Sequence, residues 1–242
     1  MRTSWAIAVF LAWGGIALAQ APKDAPAPPR EGASTAPSKA APAVAYKPPA
    51  RGAPQRRVGG ASRGAAATAP EVAVLAPDHV GLTLEEQPDL YWFISKPSTV
   101  RIELTLIHGD SPAPTKEVTL KGAESAGIQR FPLREHGVRL AEGTDYEWSV
   151  AVVPDTEGRS ADIVSGGALR RVAPGPALAA KLRGLAGTAR AAALAEAGIW
   201  YDALAALGRQ LDANPSDREA RRARAELLEQ VGLKDVAAFE RR

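Results

Sequence analysis

The chain of 242 residues contains no cysteine. That absence excludes a disulfide framework, a thiol nucleophile, a thiolate zinc site and the lipid-modified cysteine of a bacterial lipoprotein. Histidine is nearly as scarce. His79, His108 and His136 stand 29 and 28 residues apart, and none has a second histidine at the three- or four-residue offset of a zinc-binding helix. A nucleophile elbow of the Gly-x-Ser-x-Gly type is missing as well. Gly59 and Gly64 bracket four residues as in a phosphate-binding loop, but Ala65 stands where that loop requires lysine. His108 lies beside Asp110 and Ser111, yet sequence adjacency does not make a relay geometry. The carboxylate groups Glu85/Glu86 and Glu142/Asp145/Glu147 fall in turns or on solvent-facing strand positions, and read as solubilising rather than as a glycosidase pair. No catalytic, cofactor-binding or metal-binding constellation is therefore expected, and the chain reads as a non-enzyme.

Long apolar runs are confined to the first residues. Arg2 provides a minimal positive start, residues 5–18 are apolar and uncharged, and Ala17-Leu18-Ala19 matches the small-x-small pattern of a signal-peptidase site. A run of about fourteen residues is shorter than the roughly 20 that span a bilayer. The expectation is a secretory leader over residues 1–19, cleaved after Ala19, a periplasmic or secreted bacterial location, and no membrane span once the leader is removed. Retention as an N-terminal anchor is the alternative.

Residues 20–69 hold 16 alanines and nine prolines, with Val44, Tyr46 and Val58 as their bulky hydrophobes. So little burial cannot offset the entropy of ordering a backbone, and the segment reads as a disordered or extended basic linker. It carries eight Lys/Arg against two acids, whereas residues 70–242 carry 21 against 25. Attraction to polyanions is thus expected from the linker, and the body is mildly acidic. A single interleaved aromatic, Tyr46, and the expected export argue against nucleic-acid binding.

From about residue 71 to residue 172 the apolar residues recur at every second position. Val100, Ile102, Leu104 and Leu106 alternate with Arg101, Glu103 and Thr105, and Tyr146, Trp148, Val150 and Val152 alternate with Glu147, Ser149 and Ala151. This period of two describes strands with one buried face. Leu90-Tyr91-Trp92-Phe93-Ile94 is apolar on both sides, as suits a strand covered on two faces. Short turns at Pro77-Asp78, Gly122, Gly143 and Pro154-Asp155 divide the strands. Residues 140–146, followed by Trp148 and Val150, resemble the corner of immunoglobulin and fibronectin type III domains, where a tyrosine bonds back across the turn; Trp92 would then be the central indole. Tyr146 and Trp148 can also be read simply as good strand formers.

Beyond Pro174-Gly175-Pro176 the period becomes helical. Trp200, Leu204, Leu207 and Leu211 lay one apolar stripe along a helix, preceded by an alanine-rich helix over roughly residues 188–197. Asn214-Pro215 breaks the chain, Ser216 and Glu219 offer a capping box, and Gly232 is placed to end the following helix. Ala191, Gly198, Ala203, Leu207 and Pro215 occupy relative positions that resemble those of the small, turn and packing residues of a tetratricopeptide repeat, with Gln210 where alanine is usual. One hairpin makes no concave groove, so it is expected to pack on the sandwich first and bind second. The fold class is thus α+β: an antiparallel β-sandwich of the immunoglobulin/fibronectin III kind over residues 70–173, then a C-terminal helical subdomain over residues 174–242.

Three groups of phrases stand out: Tyr46-Lys47-Pro48-Pro49 with residues 52–60 and Arg63-Gly64, Gly81-Leu82-Thr83-Leu84-Glu85-Glu86-Gln87-Pro88 leading into Tyr91-Trp92-Phe93, and Gly198-Ile199-Trp200-Tyr201-Asp202-Ala203. Together they resemble a secreted bacterial family known as domain of unknown function 928. The resemblance covers about residue 46 to residue 242 and implies compartment and extent, with no mechanism. A definite phrase inside a linker implies that residues 46–64 are an arm that docks on the body or a partner, with Arg56, Arg57 and Arg63 approaching an acidic surface.

The resulting expectation is a non-catalytic protein-interaction module of the cell envelope. Arg56, Arg57, Arg63, Tyr201 and Asp202 are its candidate contact residues, with Tyr201 and Asp202 pointing outward and Trp200 packed on the sheet. The expected partner is an envelope protein. A binder of anionic envelope polymers through the basic arm is the alternative, and an unrecognised hydrolase a third.

Overall fold

The computed structural model describes residues 44–49, 59–60, 69–109, 111 and 113–242. The leader, the cleavage point after Ala19 and the side chains of Arg56, Arg57 and Arg63 lie outside these residues. Nine strands are described: β1 (Gly59–Gly60), β2 (Val72–Val74), β3 (Gly81–Thr83), β4 (Asp89–Ile94), β5 (Arg101–His108), β6 (Lys116–Leu120), β7 (Gly127–Pro132), β8 (Asp145–Val153) and β9 (Ile163–Arg171). Five helices follow: α1 (Pro176–Leu182), α2 (Gly187–Glu196), α3 (Trp200–Ala213), α4 (Arg218–Gln230) and α5 (Lys234–Glu240). The fold is α+β.

The alternating segments become the centre of the larger sheet, which runs β1-β9-β8-β5-β6. β5 and β8 pair antiparallel with Ile102 opposite Val152, Leu104 opposite Val150 and Leu106 opposite Trp148, and all six side chains are buried. Their neighbours Glu147 and Arg101 are exposed, as a period of two demands. One pairing departs from the all-antiparallel expectation. β3 joins the free edge of β9 in parallel, beside the place where β1 pairs antiparallel with Val164 and Ser165 of the same strand.

The smaller sheet is β2-β4-β7. β4 is buried on both sides from Leu90 to Ile94. Tyr91 meets Gly208 of α3 and Phe93 packs edge-on to Phe239 of α5 at 5.1 Å, so helices cover one face, while Leu90, Trp92 and Ile94 point the other way into the shared core. The two sheets approach closely where β2 crosses β9. A Cβ placed on Gly167 would stand 2.5 Å from the Ala76 Cβ, and the Val74 amide donates to the Ser165 hydroxyl at 2.9 Å. At the corner before β8, the Ala141 amide donates to the Tyr146 hydroxyl oxygen at 3.0 Å, which fixes the tyrosine across the turn.

The helical part is larger than the hairpin expected from the sequence. α2 and α3 form the hairpin, flanked by α1, α4 and α5. Leu182 of α1, Leu227 and Leu228 of α4 and Val236 of α5 add their apolar faces to one continuous core that includes the sheets. The cap of α4 also moves by one residue. Asp217, rather than Ser216, takes the N-cap and accepts from the Ala220 amide at 2.9 Å, while the Ser216 hydroxyl donates to Asn214 at 2.8 Å. A carboxylate serves better here because Gln210 also donates to Asp217, at 2.7 Å, and accepts from Thr188 at 3.2 Å. Gln210, standing where alanine is usual, thereby ties α2, α3 and the start of α4 together.

Candidate interaction site

Residues 198–202 sit at the junction of everything else. Gly198 adopts φ +77° in the turn between α2 and α3, and any Cβ there would lie 2.9 Å from the Lys47 carbonyl oxygen. The Trp200 indole N–H donates to the Leu75 carbonyl at 2.8 Å in a fully buried bond. The Trp148 indole N–H donates to the Tyr201 hydroxyl at 3.0 Å, and that hydroxyl donates to the Ala168 carbonyl at 2.9 Å. Thr83 donates to Asp202 at 2.5 Å, and the Leu84 amide donates to its other carboxylate oxygen at 2.9 Å.

Tyr201 and Asp202 are therefore not an outward contact patch: Tyr201 is fully buried and Asp202 is 5% exposed. The stripe Trp200, Leu204, Leu207 and Leu211 predicted a helix with one buried face, but the first two turns of α3 are enclosed on every side. The phrase is a rivet between the helices and both sheets. Burial raises the Asp202 carboxyl to about 6, reinforced by Glu85 and opposed by the bonds from Thr83 and Leu84 and by Arg209.

Against this junction lies the extended segment 44–49. Its backbone is held by hydrogen bonds a peptide ligand would use. The Gln230 carboxamide of α4 accepts from the Tyr46 amide and donates to the Val44 carbonyl, both at 2.8 Å. The Lys47 amide donates to the Ala195 carbonyl of α2 at 3.0 Å. Val44 is buried, and the Tyr46 ring meets Trp200 edge-on at 5.0 Å while its hydroxyl shares a 2.9 Å hydrogen bond with the His79 ring. Lys47 and Lys181 both bond Glu196, at 3.1 and 2.5 Å, and hold its carboxyl down at about 2, Lys181 contributing most. The expected linker thus contains a docked stretch, because Val44 and Tyr46 are spaced to enter the same core.

The docking residues Gln230, Ala195 and Glu196 were invisible in the sequence, since a backbone-clamping glutamine on an exposed helix position looks like any polar surface residue. A second concavity, about 390 Å³, opens between the loop before β4, the end of β7 and α3; Asp89 at its wall pairs with Arg130 at 3.3 Å and with Arg209 at 3.5 Å. His108 meets Tyr146 edge-on with ring centres 5.3 Å apart, and His136 stacks on Phe131 at 4.1 Å. Among the described residues, no group of three or more His, Cys, Asp or Glu could hold a metal ion, and no helix is long and apolar enough to cross a membrane.

No curated protein matches the sequence. The phrases that converge at the junction, residues 81–84, 91–93 and 198–202, fall inside the stretch 58–240 that matches the family model described as Domain of Unknown Function (DUF928). That stretch is most of the chain, and the protein belongs to this family.

Proposed function

We propose that the protein is an exported, non-catalytic interaction module of the cell envelope whose α2–α4 face recognises an extended backbone. The observation that carries this reading is the Gln230 carboxamide, which bonds a backbone N–H and a backbone C=O two residues apart in segment 44–49. Such a clamp reads main chain and leaves specificity to side-chain pockets, here those filled by Val44 and Tyr46. The small and turn residues Ala191, Gly198, Ala203, Leu207 and Pro215 support a tetratricopeptide-like pairing of α2 and α3. The apolar run of residues 5–18 and the Ala17-Leu18-Ala19 pattern support a leader cleaved after Ala19 and a periplasmic or secreted location.

The test is recovery of partners from the native envelope with the full mature chain and with its Gln230→Ala variant. The same envelope protein should be captured by the first and at least tenfold depleted with the second. Equal recovery would sink the groove reading, and turnover of ester, peptide or glycoside substrates by the purified chain would sink the non-catalytic one. A second reading, binding of anionic envelope polymers through the linker, is favoured by its eight cations against two acids. Such binding should collapse between low and moderate salt, and it should be lost when Arg56, Arg57 and Arg63 are replaced together by alanine.

A further inference from the structure

The body carries more acids than bases, yet one face of its C-terminal helices gathers guanidinium groups. A concavity of about 750 Å³ is lined by Arg218, Arg221 and Arg222 from the first turns of α4, by Arg241 and Arg242 after α5, and by one carboxylate, Glu226. Part of this charge is already used. Arg222 pairs with Glu226 at 2.8 Å and Arg241 with Glu229 at 2.5 Å, and Arg221 donates to the Pro215 carbonyl at 2.6 Å. Arg218 is exposed with no carboxylate partner among the described residues, and Arg242 lies over the Phe239 ring, 5.7 Å from its centre.

We infer that this concavity binds phosphate groups, either on a soluble phosphorylated molecule or on a lipid headgroup. Planar guanidinium forks match a tetrahedral oxyanion with paired N–H donors, and several converging on one concavity favour an anion with more than one charge. None of the lining residues belongs to segment 44–49 or to the α2–α3 hairpin, so this inference goes beyond the reading above.

The experiment uses the full mature chain, the Arg218→Ala/Arg222→Ala variant and the Arg56→Ala/Arg57→Ala/Arg63→Ala variant. Each is titrated at low salt with inorganic pyrophosphate by calorimetry and sedimented with vesicles containing phosphatidylglycerol, with pure phosphatidylcholine vesicles as the neutral comparison. Urea melts establish that both variants remain folded. The helix variant should bind at least tenfold more weakly than the parent and show a shallower salt dependence, while the arm variant keeps most of the affinity. Binding of pyrophosphate alone identifies a soluble phosphate ligand. Binding of anionic vesicles alone identifies a headgroup. The inference is overturned if the parent binds neither probe, or if only the arm variant loses binding.

Discussion

Strand β8 and helix α3 each carry a tyrosine and a tryptophan within a few residues, and their polar neighbours meet opposite fates. In β8 the exposed Glu147 separates buried Tyr146 from buried Trp148, as the alternation predicts. In α3 the polar Asp202 follows Trp200 and Tyr201 and is buried with them. The difference is the number of surfaces each element meets. Around Glu147 the larger sheet is packed on one face, although Ala151, Val153 and Ala168 beyond it are buried on the other, whereas the start of α3 is enclosed by β3, β4, α2 and segment 44–49. A periodic pattern reports how many faces are apolar, and a helix enclosed all round needs polar residues that find partners inside.

Truncating Trp200 to alanine should break the contrast most severely. It removes the Leu75 bond and a large buried ring, and should cost about 3–5 kcal/mol in urea unfolding. A loss under 1 kcal/mol would show that α3 is not the rivet. Asp202 should give the next largest effect, through pH. Its folded value of about 6 lies above its usual 3.8, so the stability it contributes is complete below about pH 4 and falls as pH rises through 6. The loss should reach about 3 kcal/mol by pH 7, from the size of that shift. Asp202→Asn, whose oxygen still accepts from the Leu84 amide while its NH2 donates to the Thr83 hydroxyl oxygen, should flatten the urea midpoint between pH 4 and 7.

Tyr201→Phe leaves the Trp148 indole and the Ala168 carbonyl without that hydroxyl, and should destabilise by about 1–3 kcal/mol. Tyr91→Phe should go the other way or nowhere. Its hydroxyl is buried without a partner among the described residues, so removal should change stability by no more than about 1 kcal/mol, in the stabilising direction. Smallest of all, Glu147→Gln on the wet face of β8 should stay within about 0.5 kcal/mol, and a larger change would undo the claim that alternation alone assigns that face.

Much of the frame was legible. The two-residue period in β5 and β8, the double-sided apolar run of β4, the tyrosine bonded across the corner and the helical period after Pro176 all have local causes. The resemblance of residues 198–203 to a family phrase was legible too, but its meaning was not. Gly198, Trp200, Tyr201 and Asp202 each answer to a partner far along the chain: Lys47, Leu75, Trp148 and Thr83. The cap of α4 was misplaced for a similar reason, since Asp217 is favoured over Ser216 by a bond from Gln210 on the preceding helix.

Composition and periodicity by themselves determined that thiol chemistry is excluded, that the body is α+β, and which face of each one-sided strand is buried. Tertiary structure alone decided that Asp202 is interior and that Val44 and Tyr46 belong to the core. The physical reason is sequence distance. The Thr83–Asp202 and Tyr46–Gln230 bonds join residues 119 and 184 positions apart, and no local pattern encodes a contact that exists only after the chain has folded back on itself.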